Sequence, residues 1–314
     1  MSAGMFRTAL ILGSICVTGP FAIDMYLPAL PAIEEALDVS VSAAQITLVA
    51  YFLAYGVSQL VYGPLSDQIG RKKTLAIGMS IFCVGAVICA VAPDIETLVL
   101  GRLVQGIGGA TVMVIPRAIV RDMYTGAQAT RLMSSIMLVI SVSPMLAPLA
   151  GSAVVSFGSW REIFLALAIL AAATLTMAQI ALPETLTADK RRKVNLRELS
   201  RSCGILFRDP VFVGLTFIAG FGMASFFLFI SSASFVYTGQ FGLTPTEFSL
   251  AFAFNAVGFF IATQAAGRLA DMWGLATLIG RGVTGFAVCS ALLTGVVLAG
   301  FGTLPVLLIG LFLA

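Results

Sequence analysis

The sequence predicts an all-α membrane protein that crosses the bilayer many times and is built from two related halves. Of its 314 residues, 59% are hydrophobic and 11% are charged, and the mean hydropathy is +1.02. A soluble chain of this size could not bury that much apolar surface in one core. Residues 63–70 (G-P-L-S-D-Q-I-G) and 267–274 (G-R-L-A-D-M-W-G) share the pattern G-x-L-x-D-x-x-G, and each lies in a short polar break between apolar runs. The repeat indicates two bundles of membrane-spanning helices.

Nine apolar runs are long enough to span, since a helix needs about 20 residues to cross the hydrocarbon core. The first run follows Arg7 but contains Asp24 and continues to Pro28 and Pro31, so it is interpreted as an uncleaved span rather than a signal peptide. A tenth run begins near Leu304. It is too short to cross within this chain, so we expect the 314-residue chain to end inside a helix and not to transport alone. The predicted spans are residues 8–28, 44–64, 74–92, 97–117, 132–156, 162–182, 211–234, 247–267 and 276–299.

Lysines and arginines predict the orientation of the chain. With the N-terminus in the cytoplasm, almost every basic residue falls at an inner helix end or an inner loop, and only Arg161 falls outside. The sequence therefore predicts a multi-pass protein of the bacterial inner membrane with a cytoplasmic N-terminus.

The longest polar stretch, residues 183–210, divides the chain after six spans. It contains K-R-R-K at 190–193. The predicted organisation is a six-helix bundle over 1–182, a basic cytoplasmic linker over 183–210 and a partial second bundle over 211–314. Because the linker is attached to the membrane at both ends, its charge does not indicate a nucleic-acid partner.

Several classes of chemistry are excluded or disfavoured. The chain has no histidine, and its five cysteines form no C-x-x-C pair, so no metal site and no catalytic residues are predicted. The spans also lack a carboxylate pair or a serine-centred elbow, so an enzyme is not expected. A non-transporting membrane sensor remains a distant alternative, and a complete second half of the chain would argue against it.

Two charged residues, Asp24 and Arg102, lie well inside apolar spans. A charge at that depth costs about 3 kcal/mol or more, so such residues mark function by default. If span 1 runs outward and span 4 inward, both residues reach a similar depth in the outer half. Two interpretations stay open: a fixed ion pair that orients the helices, or a protonation switch in which Asp24 carries the proton and Arg102 tunes it.

A family resemblance rests on five segments. They are D-M-Y-L-P-A-L-P at 24–31, G-P-L-S-D-Q-I-G-R-K-K at 63–73, R-L-V-Q-G-I-G-G at 102–109, P-M-L-A-P-L-A-G at 144–151 and L-P-E-T at 182–185. Together they resemble the major facilitator superfamily (MFS), 12-span drug:proton antiporter type, and within it the Bcr/CflA (bicyclomycin-resistance-like) subfamily. Segments 63–73, 102–109 and 144–151 resemble the signature loop between spans 2 and 3, the span-4 motif and the span-5 antiporter motif. The last match is partial, because Ala147 stands where glycine usually precedes the proline.

The resemblance implies the MFS fold, with two pseudo-symmetric six-helix bundles of which the second is incomplete here. It also implies proton-coupled efflux, by antiport, of drugs or small hydrophobic metabolites through alternating access about a midplane site. The proton gradient would drive transport without a cofactor. The expected partners are substrate, protons and the lipid bilayer, and the family default is a monomer. A metabolite facilitator or importer of the same fold is the alternative.

The first loop is predicted to act as a cytoplasmic gate. Its glycines permit tight turns, and its charges can pair with the foot of span 4: Arg71 and Lys72 with Asp122, and Arg121 with Asp67. The resemblance implies that such contacts stabilise the outward-facing state; the alternative is charge that only sets topology. The second copy should form a weaker latch, because Leu275 and Ala276 replace the basic residues. The predicted gate residues are Gly63, Asp67, Gly70, Arg71, Lys72, Arg121, Asp122, Gly267 and Asp271.

Two further sets of residues are candidates. Pro144 and Pro148 remove backbone donors within span 5, and Gly151 permits close packing. The resemblance implies that this kink seals one side of the path, and ordinary helix packing is the alternative. Possible substrate-cavity residues are Tyr26, Gln105, Met113 and Asn255.

Overall fold

The computed structural model describes residues 3–191, 201 and 203–313, and this part of the chain is almost entirely helical without any strand. Part of the predicted basic linker, residues 192–200 and 202, lies outside the described residues. The α-helices are α1 (Ala3–Asp24), α2 (Leu30–Leu37), α3 (Val41–Ile69), α4 (Arg71–Ala90), α5 (Ile95–Gly109), α6 (Thr111–Met123), α7 (Gly126–Phe157), α8 (Trp160–Ala181), α9 (Pro210–Phe235), α10 (Pro245–Trp273), α11 (Leu275–Val296) and α12 (Leu304–Leu313).

All nine predicted spans are confirmed within the described ranges. Nine helical segments are long and apolar enough to cross a membrane, and each overlaps one predicted run. Two of them combine consecutive helices: α1 with α2, and α5 with α6. Most of the helices extend past the predicted ends, because polar residues continue the helix beyond the apolar stretch that hydropathy detects. The tenth run forms the shorter helix α12.

Polar caps begin several spans on the predicted outer side. Ser40 caps α3, and Asp94 caps α5 by accepting a hydrogen bond from the Thr97 amide at 2.8 Å. Hydrogen bonds from Thr97 hold the pKa of the exposed Asp94 below its usual value. Ser159 and Thr244 each form a capping box with a glutamate three residues later. These caps allow short connections between adjacent spans.

Small residues let the helices of the first bundle approach closely. A Cβ at Gly108 would collide with the backbone of Phe82, and one at Gly85 with the backbone of Gln105. Helix α5 therefore lies directly against α4, as small residues allow in membrane bundles. Helix α4 also packs on α8, while α1 packs on α7 and α8. This packing brings the polar side of α5 next to the end of α1.

The second part of the chain joins the first mainly through α10, which packs along α7. The Ser249 hydroxyl donates to the Pro148 carbonyl at 2.9 Å, and the Gln45 amide donates to the Ser231 carbonyl at the same distance. Phe52 of α3 also stacks on Phe227 of α9 at 4.0 Å. Most of these contacts lie in the half of the bundle predicted to face outward. The two parts are thus joined on the side where Asp24 and Arg102 are buried.

Candidate functional site

Arg102 lies on α5 in a fully enclosed aromatic setting, with 0% of the residue exposed. Its guanidinium carbon is 4.6 Å from the ring centroid of Tyr26 and 4.4 Å from that of Tyr51. Phe164 is also close, at 5.9 Å. Aromatic faces carry partial negative charge, so they stabilise a cation that has no access to water.

Hydrogen bonds occupy one nitrogen of this guanidinium. Nη1 donates to the Gln105 side-chain oxygen at 2.6 Å and to the Ala22 carbonyl at 3.0 Å. In a continuous α-helix the Ala22 carbonyl would accept from the amide of Tyr26, four residues later. Here that amide donates to the Ile23 carbonyl instead, so the Ala22 carbonyl is available to Arg102. Nε and Nη2, which share one edge of the guanidinium, have no acceptor among the described residues. One edge of a buried cation is therefore free.

Asp24 is the last residue of α1 and is 4% exposed. No described residue gives its carboxyl group a hydrogen bond or an ion pair. The predicted facing contact with Arg102 is not formed, because Arg102 reaches α1 two residues earlier, at Ala22. The structure therefore does not show a fixed Asp24–Arg102 ion pair. The predicted role of both residues in proton coupling remains a prediction.

The four predicted cavity residues separate into different environments. Tyr26 and Gln105 belong to the closed cluster around Arg102, and the Tyr26 hydroxyl shares a 2.7 Å hydrogen bond with Thr47. Met113 packs, half-buried, against the core of the first bundle. Asn255 lies on α10 and donates to the Tyr237 hydroxyl at 3.2 Å.

Asn255 lines a cavity of about 550 Å³ between α9, α10, α11 and α12, whose wall also includes Pro144 of α7. The amide oxygen of Asn255 is buried and has no partner among the described residues. The wall is rich in aromatic side chains, including Phe226, Phe229 and Phe252, and it also includes Leu313, the last described residue. The wall is mainly apolar, and its polar residues are Asn255, Ser225, Ser290 and Thr294.

Arg71 is the centre of a charge network at the first loop. It donates to Asp67 at 2.6 Å and to Asp122 at 2.9 Å, and its side chain is 9% exposed. It also donates to the Ser66 hydroxyl. The predicted contact of Arg71 with Asp122 is present. One guanidinium thus joins the ends of three helices, α3, α4 and α6.

Glu184 is a member of this network that the sequence did not identify as a site residue. Its carboxylate accepts from the backbone amides of Arg71 at 2.9 Å and Lys72 at 3.1 Å, in the first turn of α4. That turn contains no acidic residue of its own, so a carboxylate from outside satisfies its free amides. The signal was present in the L-P-E-T segment, whose Thr185 donates to Asp122 at 3.0 Å.

Gly70 permits this arrangement. Its φ is +98°, and a Cβ at this position would lie 2.6 Å from the Glu184 carboxylate. The tight turn predicted at Gly70 is therefore confirmed, and the reason is both the backbone conformation and the approach of Glu184. The tight turn predicted at Gly63 is wrong, because Gly63 lies inside α3, where a Cβ would meet no described residue.

Two other predicted contacts of the loop are not formed. Lys72 donates to the Gln179 carbonyl of α8 at 2.8 Å instead of to Asp122. It follows Arg71 by one position, so its side chain leaves α4 in a different direction. Arg121 is exposed and forms no ion pair with Asp67, which Arg71 already occupies. Every observed partner lies in the described part of residues 63–185, so the network braces the first bundle internally.

The second copy of the motif has the same backbone turn without such partners. Gly274 has φ +78° and ψ 150°, close to φ +98° and ψ 158° at Gly70. Asp271 is exposed and has no hydrogen-bond or ion-pair partner in the described ranges, and Gly267 lies in open space there. The second copy therefore has the turn without a charge network among the described residues, and its role as a weaker latch remains a prediction.

The span-5 residues lie where α7 meets its neighbours. Helix α7 continues through Pro144 and Pro148. A Cβ at Gly151 would collide with the Met25 carbonyl, so α7 touches the chain directly after Asp24. The Pro148 carbonyl accepts from Ser249 of α10. Whether the segment seals the path remains a prediction, but its contacts join α1, α7 and α10.

The known proteins that this chain resembles are transporters and drug-resistance proteins. The sequence model described as Major Facilitator Superfamily matches residues 10–314. The chain is 33% identical over 307 residues to the uncharacterized MFS-type transporter YdgK of Bacillus subtilis, covering 97% of this chain and 76% of the relative. It is 29% identical to a bicyclomycin resistance protein homolog of Haemophilus influenzae (87% and 69% covered) and 32% identical to multidrug resistance protein D of Escherichia coli (82% and 65%).

Solved structures share the fold. A partially occluded inward-open form of the xylose transporter XylE of E. coli aligns with a TM-score of 0.76 at 15% identity, over 99% of this chain and 81% of that one. The human organic anion transporter MFSD10 aligns with a TM-score of 0.65 at 19% identity, over 98% and 82%. At these identities the likeness concerns the fold alone.

Proposed function

Because this chain belongs to the Major Facilitator Superfamily, and its relatives place it with the Bcr/CflA-like drug-transporter subfamily, we propose that it exports drugs or small hydrophobic metabolites in exchange for protons. Membership makes it a multi-pass membrane transporter of small molecules rather than an enzyme. The observation that carries the proposal of proton exchange is the unpaired, buried Asp24 beside the buried Arg102, whose one edge is free.

Asp24 is the proposed proton carrier. An unpaired carboxylate away from water is costly, so the group holds a proton in the arrangement seen here. Once the proton leaves, the carboxylate requires a cation. The free edge of Arg102, Nε and Nη2, is the edge that binds a carboxylate through two parallel hydrogen bonds. Deprotonation would therefore draw the end of α1 toward α5.

Movement at Asp24 can be transmitted to the second part of the chain. The residues directly after Asp24 touch α7 at Gly151, and α7 bonds to α10 through Pro148 and Ser249. A change in the α1–α5 contact would thus act on the junction between the two parts. Rocking of two bundles about this junction is the alternating access proposed here. The network of Arg71 would keep the first bundle rigid during that motion.

The proposed substrates are apolar and aromatic. The cavity beside α10 is lined by several phenylalanines, and its polar residues are Asn255, Ser225, Ser290 and Thr294. This lining suits a lipophilic molecule with a few polar groups. Several relatives carry names of resistance to bicyclomycin, chloramphenicol or multiple drugs. We further propose that the chain lies in the bacterial inner membrane with a cytoplasmic N-terminus, and that it acts as a monomer powered by the proton gradient without a cofactor.

Proton release on substrate binding tests the proposal. The protein, extended to full length if the gene continues, would be purified in detergent, and the pH of a weakly buffered solution would be followed on adding bicyclomycin or chloramphenicol. Release that is lost in Asp24→Asn, and retained in the matched control Glu96→Gln at an exposed outer position, supports antiport. Binding without release in the wild type would identify a facilitator instead.

A further inference from the structure

The rings of Tyr26 and Tyr51 lie against the guanidinium of Arg102, which forms no ion pair with Asp24. Both rings lie within 4.6 Å of the guanidinium carbon, and both tyrosines are 0% exposed. The nitrogens of Arg102 lie more than the 4.0 Å salt-bridge distance from the Asp24 oxygens, since the two form no pair. A cation that moved next to the Asp24 carboxyl group would favour loss of its proton, so the contacts that hold Arg102 in place bear on the ionisation of Asp24.

Each ring is fixed by contacts of its own. The Tyr26 hydroxyl bonds to Thr47, whose hydroxyl in turn donates to the Ala44 carbonyl of α3 at 2.6 Å. Tyr51 stacks on Tyr55 with centroids 5.7 Å apart. Gly109 leaves room for the Tyr51 hydroxyl, which has no hydrogen-bond partner among the described residues. Tyr51 therefore contributes its aromatic face and not its hydroxyl.

We propose that Tyr26 and Tyr51 are positioning residues that keep Arg102 detached from Asp24 while Asp24 holds its proton. This inference rests on the proposed proton coupling. It names the residues that determine when Arg102 pairs with Asp24. Cation–π contact with two desolvated rings competes with the ion pair, so Arg102 transfers to Asp24 only after the proton has left. Without the rings, Arg102 would pair with Asp24 too early and remain there.

The direction of the expected effect follows from charge. Other ionisable groups around the cluster are Cys16 of α1, Tyr55 of α3, Cys89 of α4 and Arg117 of α6. None of these is a second carboxylate. Arg102 is the cation that bonds to α1 near Asp24, at the Ala22 carbonyl, so its approach should change Asp24 most. An approaching cation favours the charged carboxylate, so loss of a ring should make Asp24 give up its proton at lower pH.

The test follows the carboxyl group itself. Infrared difference spectra of the purified full chain, recorded through a pH titration, show the carbonyl stretch of protonated Asp24 as the band absent in Asp24→Asn. In Tyr51→Leu and Tyr26→Leu the midpoint of this band should move about one unit lower, a roughly tenfold change. Tyr51→Phe keeps the ring and should not move it. Tyr62→Leu, on the same helix but away from Arg102, is the matched control.

A graded series keeps the test informative if a leucine variant fails to fold. Tyr51→Phe and its analogues with one, two or three ring fluorines keep the shape and weaken the negative face in steps. The midpoint should fall with each fluorine. A midpoint that is equal across the series overturns the positioning role and leaves Asp24 as a titrating group. A band that does not respond to pH at all contradicts both the positioning role and Asp24 as proton carrier.

Discussion

The two copies of G-x-L-x-D-x-x-G share a backbone turn but differ in everything attached to it. In the first copy Arg71 bonds to Asp67 and Asp122, and Glu184 closes over the start of α4. In the second copy Asp271 is exposed and Leu275 stands where Arg71 stands in the first. The difference shows that the motif encodes a turn, whereas the charge network depends on residues that other helices supply.

Removing the central cation should have the largest effect. Arg71→Ala leaves Asp122 and Asp67 without their cation. Loss of one partner from a buried pair costs about 3–5 kcal/mol, and partial exposure of Asp67 reduces this to about 2 kcal/mol here. The midpoint of thermal unfolding in detergent should fall clearly. The matched change Leu275→Ala in the second copy should leave it nearly unchanged, and an equal loss at both sites would contradict the asymmetry.

Alanine substitutions at Gly70 and Gly274 should have the second-largest effect and should lower stability by different amounts. Both have positive φ, which costs a non-glycine residue about 1–2 kcal/mol. Only Gly70→Ala also displaces Glu184, which lies where the new Cβ would be. Gly70→Ala should therefore lower the unfolding midpoint more than Gly274→Ala. The same drop in both variants would show that Glu184 does not approach Gly70 as described.

Neutralising the carboxylate over α4 should have a smaller effect. Glu184→Gln keeps an acceptor but loses the charge that favours a helix N-terminus, a loss of about 1 kcal/mol. Asp271→Asn, which has no described partner, is the control and should show no change. Hydrogen exchange at the amides of Arg71 and Lys72 would report the effect locally. Unchanged protection in Glu184→Gln would remove Glu184 from the network.

Introducing a basic residue into the second copy should produce the smallest effect on stability. Leu275→Arg restores a basic residue four positions after Asp271, the spacing of Asp67 and Arg71. No counterpart of Asp122 or Glu184 contacts Asp271 among the described residues, so within them only an exposed pair forms, which contributes about 0.3–0.5 kcal/mol. Thermal unfolding in low and high salt would detect it. A stabilisation as large as the loss in Arg71→Ala would show that the motif alone builds the latch.

Much of this architecture was open to prediction from local patterns. Long apolar runs are satisfied in a membrane only as helices, so all nine spans could be located, although their ends could not. The Arg71–Asp122 contact also followed from charges at neighbouring helix ends. The contacts predicted for Lys72 and Arg121 were wrong, because one guanidinium already satisfies both carboxylates and helix rotation directs Lys72 to α8.

At the site around Arg102, local sequence patterns predict which residues are buried but not which groups they contact. Hydropathy and the chain's charges were sufficient to mark Asp24 and Arg102, because a buried charge is costly wherever the helices lie. Their separation could not be read from the chain. It depends on the carbonyl that Tyr26 releases at Ala22, and on two rings brought to α5 from the end of α1 and from α3. The apolar sequence around a charged residue predicts that it is buried. Which group it contacts depends on how separate helices pack, and that is decided only by the tertiary structure.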